Sequence, residues 1–179
     1  MIKLKLTFLF VFAFAISANA QKSLTQQYAE KINSVFNSEA KEAATLAPSP
    51  ATKLLEFASS MIGIRYKYAS GNPERGFDCS GFVSYVFHNF GFKVPRSSVE
   101  FSRAGKPTTL KQAKVGDVMI FTGSNPRLRK IGHVGIVYEI DGDKIRFIHS
   151  TSGKANGVTI TNFDGYYKSR FIKVVSIIE

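Results

Sequence analysis

Phe77-Asp78-Cys79-Ser80-Gly81-Phe82-Val83-Ser84-Tyr85-Val86-Phe87-His88-Asn89-Phe90-Gly91 decides how the chain is read, because its one cysteine stands there, directly before an apolar stripe. Val83, Val86, Phe87 and Phe90 recur at helical spacing and predict a helix with a buried face, stopped by Gly91. Cys79 then opens that helix with Asp78 as its N-cap. Unpaired backbone N–H groups and the positive end of the helix dipole gather there, and both favour thiolate over thiol. A buried structural cysteine is the plainer alternative, since free cysteines commonly pack as small hydrophobes.

The compartment makes a reactive thiol the better reading. Lys3 and Lys5 precede an apolar run from Leu6 to Ile16, and Ser17-Ala18-Asn19-Ala20 has the small-x-small ending of a cleaved export signal. The run is short of the ~20 residues of a spanning helix, so residues 1–20 read as a removed signal rather than an anchor, with no stable membrane insertion afterwards. The chain is therefore expected outside the cytoplasm, periplasmic or secreted. Exported proteins usually pair their cysteines, and a single unpaired one is a reactive thiol or an intermolecular bridge. The residues after the signal suffice for one domain with a proper core, expected to act as a monomer.

The formal charge of +11, falling to +9 once Lys3 and Lys5 leave with the signal, would draw an exported protein to polyanions or carboxylate-rich peptides. Nucleic acid is excluded as the expected partner. The basic residues are scattered apart from Arg127, Arg129 and Lys130 in an expected loop, and no nucleic-acid motif accompanies them.

A first helix is predicted from Ser23, with Leu24, Tyr28, Ile32 and Val35 or Phe36 along one face packing on the domain. Pro48-Ser49-Pro50 breaks it, which divides the chain into 21–50, helical segment and linker, and 51–179, the main domain. A second helix buries Leu54, Leu55, Ala58, Met61 and Ile62 and ends at Gly63. A loop from Tyr66 to Gly76 delivers the chain to Cys79. Beyond it, Ser97 caps a short helix, Pro107 closes that region, and Val118–Phe121, His133–Ile140, Lys144–Ser150, Val158–Thr161 and Phe171–Ile178 read as strands.

Asp141-Gly142-Asp143 separates two β-branched runs as a hairpin turn, and each run carries a histidine. With a three-residue loop, Ile140 pairs with Lys144 and His149 lies opposite Gly135, diagonal to His133 on the same face. A two-residue loop would send the imidazoles to opposite faces, so a shared site requires an odd loop or a bulge. Gly135 would leave room between the rings. Each histidine alone could be a hydrogen-bonded filler; together with Cys79 they form the set a thiol nucleophile needs. Cys79 is the expected nucleophile, His133 the general base and acid, and His149 the group that orients it, although the two histidines could exchange roles. The Cys79 N–H and the Tyr66 hydroxyl could hold an oxyanion. Zinc bound by Cys79, His133 and His149 is the competing use of the same residues, but no fourth ligand suggests itself, and neither metal nor cofactor is expected. His88 reads as surface.

Phe77-Asp78-Cys79-Ser80-Gly81-Phe82-Val83, Val94-Pro95-Arg96, Val115-Gly116-Asp117-Val118, Gly132-His133-Val134-Gly135-Ile136-Val137 and Phe147-Ile148-His149, in this order, resemble the NlpC-type cell-wall cysteine peptidases over roughly Lys53 to Val175. The resemblance implies a papain-like α+β fold, with N-terminal helices and the nucleophile's helix packed on a central antiparallel sheet of about five to six strands. It also implies hydrolysis of the amide between D-glutamate and a diamino acid, such as diaminopimelate, in peptidoglycan stem peptides or muropeptides. Cys79, His133 and His149 match the family's catalytic residues. Tyr66 matches a tyrosine near the centre, and Asp78 and Ser80 match residues that in some members receive the free amine of the stem peptide's first alanine. Tyr68-Ala69-Ser70-Gly71 and Phe101 depart from the usual pattern near the substrate path. The alternatives are a non-catalytic murein-peptide-binding or inhibitory domain on the same scaffold, or a thiol hydrolase with another amide or ester substrate.

Overall fold

The computed structural model describes residues 23–46 and 48–178, which fall into two units divided after residue 47. The expected signal at 1–20 lies outside the described residues. Among those described, no helix is long and apolar enough to cross a membrane.

The first unit is helix α1, Leu24–Leu46, whose start is capped by Ser23, its Oγ accepting from the Gln26 N–H at 3.3 Å. Tyr28, Ile32 and Phe36 are 64%, 54% and 66% exposed. With about one apolar side chain per turn between polar neighbours, the stripe is narrower than the face a core-packed helix presents.

The second unit begins with α2, Pro50–Ser59, where Ser49 caps by accepting from Thr52 N–H at 3.1 Å and Leu54, Leu55 and Ala58 are buried. Ile62, expected on the buried side, is exposed. The helix unwinds before Gly63 because Gly63 N–H bonds the Val158 carbonyl and Ile64 accepts from Val158 N–H, both at 2.9 Å, which draws the chain to the sheet.

Then follow β1 (Gly71–Asn72) and β2 (Gly76–Phe77), a small hairpin inside the predicted loop, and α3 (Cys79–Asn89). Helix α4 (Ser98–Phe101) is capped by Ser97 as predicted. Strands β3 (Lys106–Thr108), β4 (Val118–Thr122), β5 (Ile131–Asp141), β6 (Lys144–Thr151) and β7 (Gly157–Asn162), helix α5 (Gly165–Arg170) and strand β8 (Phe171–Ser176) complete the unit. The six main strands form one antiparallel sheet, ordered β3-β8-β4-β5-β6-β7. Pro107 does not end a region but sits in edge strand β3, where a missing N–H is tolerated.

The two faces of this sheet differ. Val118, Ile120, Val134, Ile136, Ile148 and Val175 join Phe82, Val83, Val86 and Phe87 of α3 in the main core. Met119, Phe121, Val137, Phe147 and Val174 form a second cluster on the other face, with Tyr167, Phe163 and Phe171 against it. Helix α3 is buried on more than the one predicted side, since Ser80, Gly81 and Ser84 are covered as well.

The β5–β6 hairpin reaches the expected pairing by another route. Asp141 pairs with Lys144, so the loop has two residues, Gly142 and Asp143, rather than three. Alone this would put His133 and His149 on opposite faces. A bulge between Val137 and Glu139 adds Tyr138 to β5 and shifts the register, so Val137 meets Phe147 and Ile136 meets Ile148. The parity is restored.

Candidate active site

Asp78 ends the extended chain before α3 and accepts from the Gly81 N–H at 2.7 Å, the predicted cap. This fixes Cys79 as the first helical residue, free and only partly buried. Its Sγ–H donates to the Gly132 carbonyl at 3.9 Å, and the Val134 backbone N–H also points to the sulfur. The thiol therefore rests against the two peptide groups that flank His133. Burial pushes the Cys79 thiol above its ordinary range and Asp78 adds to this, while the N–H groups of Val134, Ser80 and Cys79 oppose them. The expectation of a favoured thiolate is corrected here, since desolvation and the neighbouring carboxylate outweigh the helix start.

His133 and His149 are both buried on the second face. His133 Nε2 and His149 Nδ1 are 2.8 Å apart, and the far nitrogen of His149, Nε2, lies 2.9 Å from Thr161 Oγ1. Nδ1 is the ring nitrogen of His133 that this row leaves over. Gly135 makes the row possible: a Cβ there would come within 2.6 Å of Phe147 Cδ2 and 3.1 Å of His149 Cβ. Burial pushes His133 well below the ordinary histidine range, helped by His149 and Arg170. Burial, then the Arg170 charge, lowers His149 to about 3. Both rings are neutral at neutral pH.

Cys79, Tyr66 and Gly132 stand between two chambers. The larger, about 1030 Å³, is lined also by His133, Thr159, Thr161, Tyr167, Lys154 and Arg170. The smaller, about 500 Å³, is lined by Asp78, Ser80, Arg96 and Tyr68. Burial, then Cys79 and Asp78, push the Tyr66 phenol upward. The structure thus brings Cys79, His133 and Tyr66 to one cavity, while Asp78 and Ser80 face the other side. His88 is exposed as expected, its Nε2 3.0 Å from the Val94 carbonyl.

Four neighbours were not singled out in the sequence. Arg96 grips both Asp78 oxygens, with Nη1 donating to Oδ1 at 2.9 Å, and also donates to Ser80 Oγ at 3.1 Å. Its place in Val94-Pro95-Arg96 carried no sign of its partner. Tyr167 packs on both imidazoles, with ring centroids 5.9 Å from His133 and 5.2 Å from His149. Arg170, buried, donates to the Gly123 and Thr122 carbonyls and lies over the Tyr166 ring. Thr161 did leave a signal, since Val158-Thr159-Ile160-Thr161 alternates apolar and hydroxyl residues as a strand with a polar face does.

Known proteins share parts of this sequence and this fold. The chain is 35% identical over 130 residues to the gamma-DL-glutamyl hydrolase of Bacillus subtilis, covering 70% of this chain and 30% of that protein. It is 32% identical over 123 residues to the murein DD-endopeptidase MepS/murein LD-carboxypeptidase of Escherichia coli, covering 67% of this chain and 59% of that protein. It thus spans only part of these curated relatives. An NlpC/P60 family protein of Bacillus cereus shares the fold with a TM-score of 0.65 at 24% identity, covering 75% of this chain and 42% of that one. The NlpC/P60 family model matches residues 63–176, nearly the whole α+β unit from the end of α2 to β8, and the chain belongs to that family.

Proposed function

We propose that the chain is an exported cysteine endopeptidase that hydrolyses an amide bond in peptidoglycan stem peptides, with Cys79 as nucleophile, His133 as general base and acid, and His149 as its orienting partner. The observation that carries this reading is the placement of the Cys79 sulfur against the peptide groups on either side of His133, whose Nε2 is engaged by His149 at 2.8 Å. The two-chambered cleft favours an endopeptidase, because chain can extend to both sides of the sulfur.

The resting pair is a neutral thiol and a neutral imidazole, so the proton moves as attack begins. His133 Nδ1 takes it while the sulfur bonds to the scissile carbonyl carbon. The Cys79 N–H and the Tyr66 hydroxyl hold the oxyanion. Collapse breaks the C–N bond, and His133 returns the proton to the departing amine, leaving a thioester on Cys79. Water then attacks the thioester, gives a proton to His133 and releases the acid, after which His133 reprotonates the sulfur.

The scissile bond in this reading is D-γ-glutamyl-diaminopimelate, with Asp78 and Ser80, braced by Arg96, receiving the free amine of the first alanine in the smaller chamber. The two curated relatives carry different bond names, γ-DL-glutamyl and murein DD, so the bond is the part to test first. Incubating the protein with L-Ala-γ-D-Glu-diaminopimelate and with a crosslinked muropeptide, then weighing the products by mass spectrometry, should yield L-Ala-D-Glu from the first. Cleavage of the crosslink alone would overturn the bond assignment. Binding without turnover of either would favour the non-catalytic alternative.

A further inference from the structure

The catalytic row does not end at His149. In the register of the sheet Ile136 pairs with Ile148, which sets Gly135 level with His149, while His149 pairs with Thr159 and Phe147 with Thr161. His133, His149 and Thr161 are thus successive diagonal neighbours across β5, β6 and β7 on one face, joined by contacts of 2.8 and 2.9 Å. His149 has no exposed surface, so each of its ring nitrogens must be satisfied within the protein.

We propose that Thr161 is a positioning residue that supplies the acceptor the productive proton polarity of this row requires, and so lets His133 Nδ1 stay free to accept the thiol proton. This rests on the cysteine peptidase reading above. A neutral imidazole carries one N–H. If His133 Nδ1 is to be the base, its proton must be on Nε2 and must be donated to His149 Nδ1. The single proton of His149 then sits on Nε2, and a hydrogen-bond acceptor is required where Thr161 Oγ1 stands. The reverse polarity puts the His149 proton on Nδ1, donates it to His133 Nε2 and moves the His133 proton to Nδ1, where it blocks the sulfur's base. When His133 holds both protons during the reaction, only the first polarity is open. The hydroxyl's own proton can turn to the large chamber that Thr161 lines, so it can accept from His149 without stranding a donor. Valine at 161 keeps the shape and removes the acceptor, leaving a buried N–H unpaired in the productive state.

The test compares Thr161→Val with Thr161→Ser, reading turnover of the stem peptide and, separately, the ¹⁵N shifts of the two imidazoles in the free protein. Thr161→Val should lower kcat about 10- to 100-fold with KM nearly unchanged, the range expected for one unpaired buried donor, and should move His149 toward the Nδ1–H form. Thr161→Ser should restore both. Wild-type kcat in a folded Thr161→Val protein, or unchanged ring shifts, overturns the proposal, as does equal loss in the serine variant. If the wild type cleaves no stem peptide, the function reading fails, while the imidazole shifts still decide whether Thr161 supplies the acceptor.

Discussion

On one face of the six-stranded sheet, Val118, Ile120, Val134, Ile136 and Ile148 pack with α2 and α3 in a continuous apolar core. On the other, the same strands present Phe121 and Phe147 together with His133 and His149, beneath Tyr167. The sulfur comes from the helix that covers the first face and the imidazoles from the second. They meet because Cys79 is the helix's first residue and reaches Gly132, where the β4–β5 register shifts at the start of β5. In the proposed function the first face contributes packing alone and the second contributes packing and the imidazoles, with the site at the rim where both are reached.

That division can be broken by mutation. Cys79→Ser should lower turnover on the order of 10³-fold or more with little change in thermal midpoint, whereas His133→Ala should lower turnover as far and also lower the midpoint, because it leaves the buried His149 Nδ1 without its partner. Phe87→Ala on the first face should cost about 3–5 kcal/mol of stability, while whatever remains folded keeps its turnover. An inactive, fully folded Phe87→Ala protein would contradict the separation.

The second face should also be the pH-sensitive one. The histidines' folded pKa values lie below the unfolded value of about 6.5, so the unfolded chain binds more protons as pH falls. Their contribution to stability is complete above pH 6.5 and is lost on acidification, at about 1.4 kcal/mol per pH unit for each histidine, with His149 continuing to about pH 3. Denaturant unfolding between pH 7 and 4 should show this slope, and His149→Gln should flatten it. A slope unchanged in that variant would place the acid sensitivity elsewhere.

Gly135→Ala should cost about 1–3 kcal/mol by overpacking, because the new Cβ meets Phe147 and His149, and should lower activity with it. A melt matching wild type would show that the row can shift to admit a methyl group. The smallest effect is expected at α1, where Phe36→Ser on an exposed stripe should stay within about 0.5 kcal/mol.

The same contrast explains what could be read from the residues. Helix α3 was legible, since Asp78, Cys79 and the spacing of Val83, Val86 and Phe87 are local signals. So were the hairpin and its two histidines. Their pairing was not, because a run from Ile131 to Asp141 holds no local mark that Tyr138 will bulge, and the two-residue loop without that bulge would have separated the rings. Helix α5 has six residues, too short for a helical period to show, so the Tyr167 and Arg170 wall was invisible. The raised thiol pKa also escaped a local reading, because its largest cause is burial in the folded chain, to which the Asp78 carboxylate adds, and these outweigh the helix start.

The central claim is that the single sulfur of Cys79 is the reacting atom. Iodoacetamide titration followed by intact mass measures it most directly, because the described residues contain no other thiol. Turnover should fall in proportion to the alkylated fraction, and the alkylation rate should climb through a thiol pKa above its ordinary range. A fully alkylated protein that still cleaves stem peptides would contradict the account.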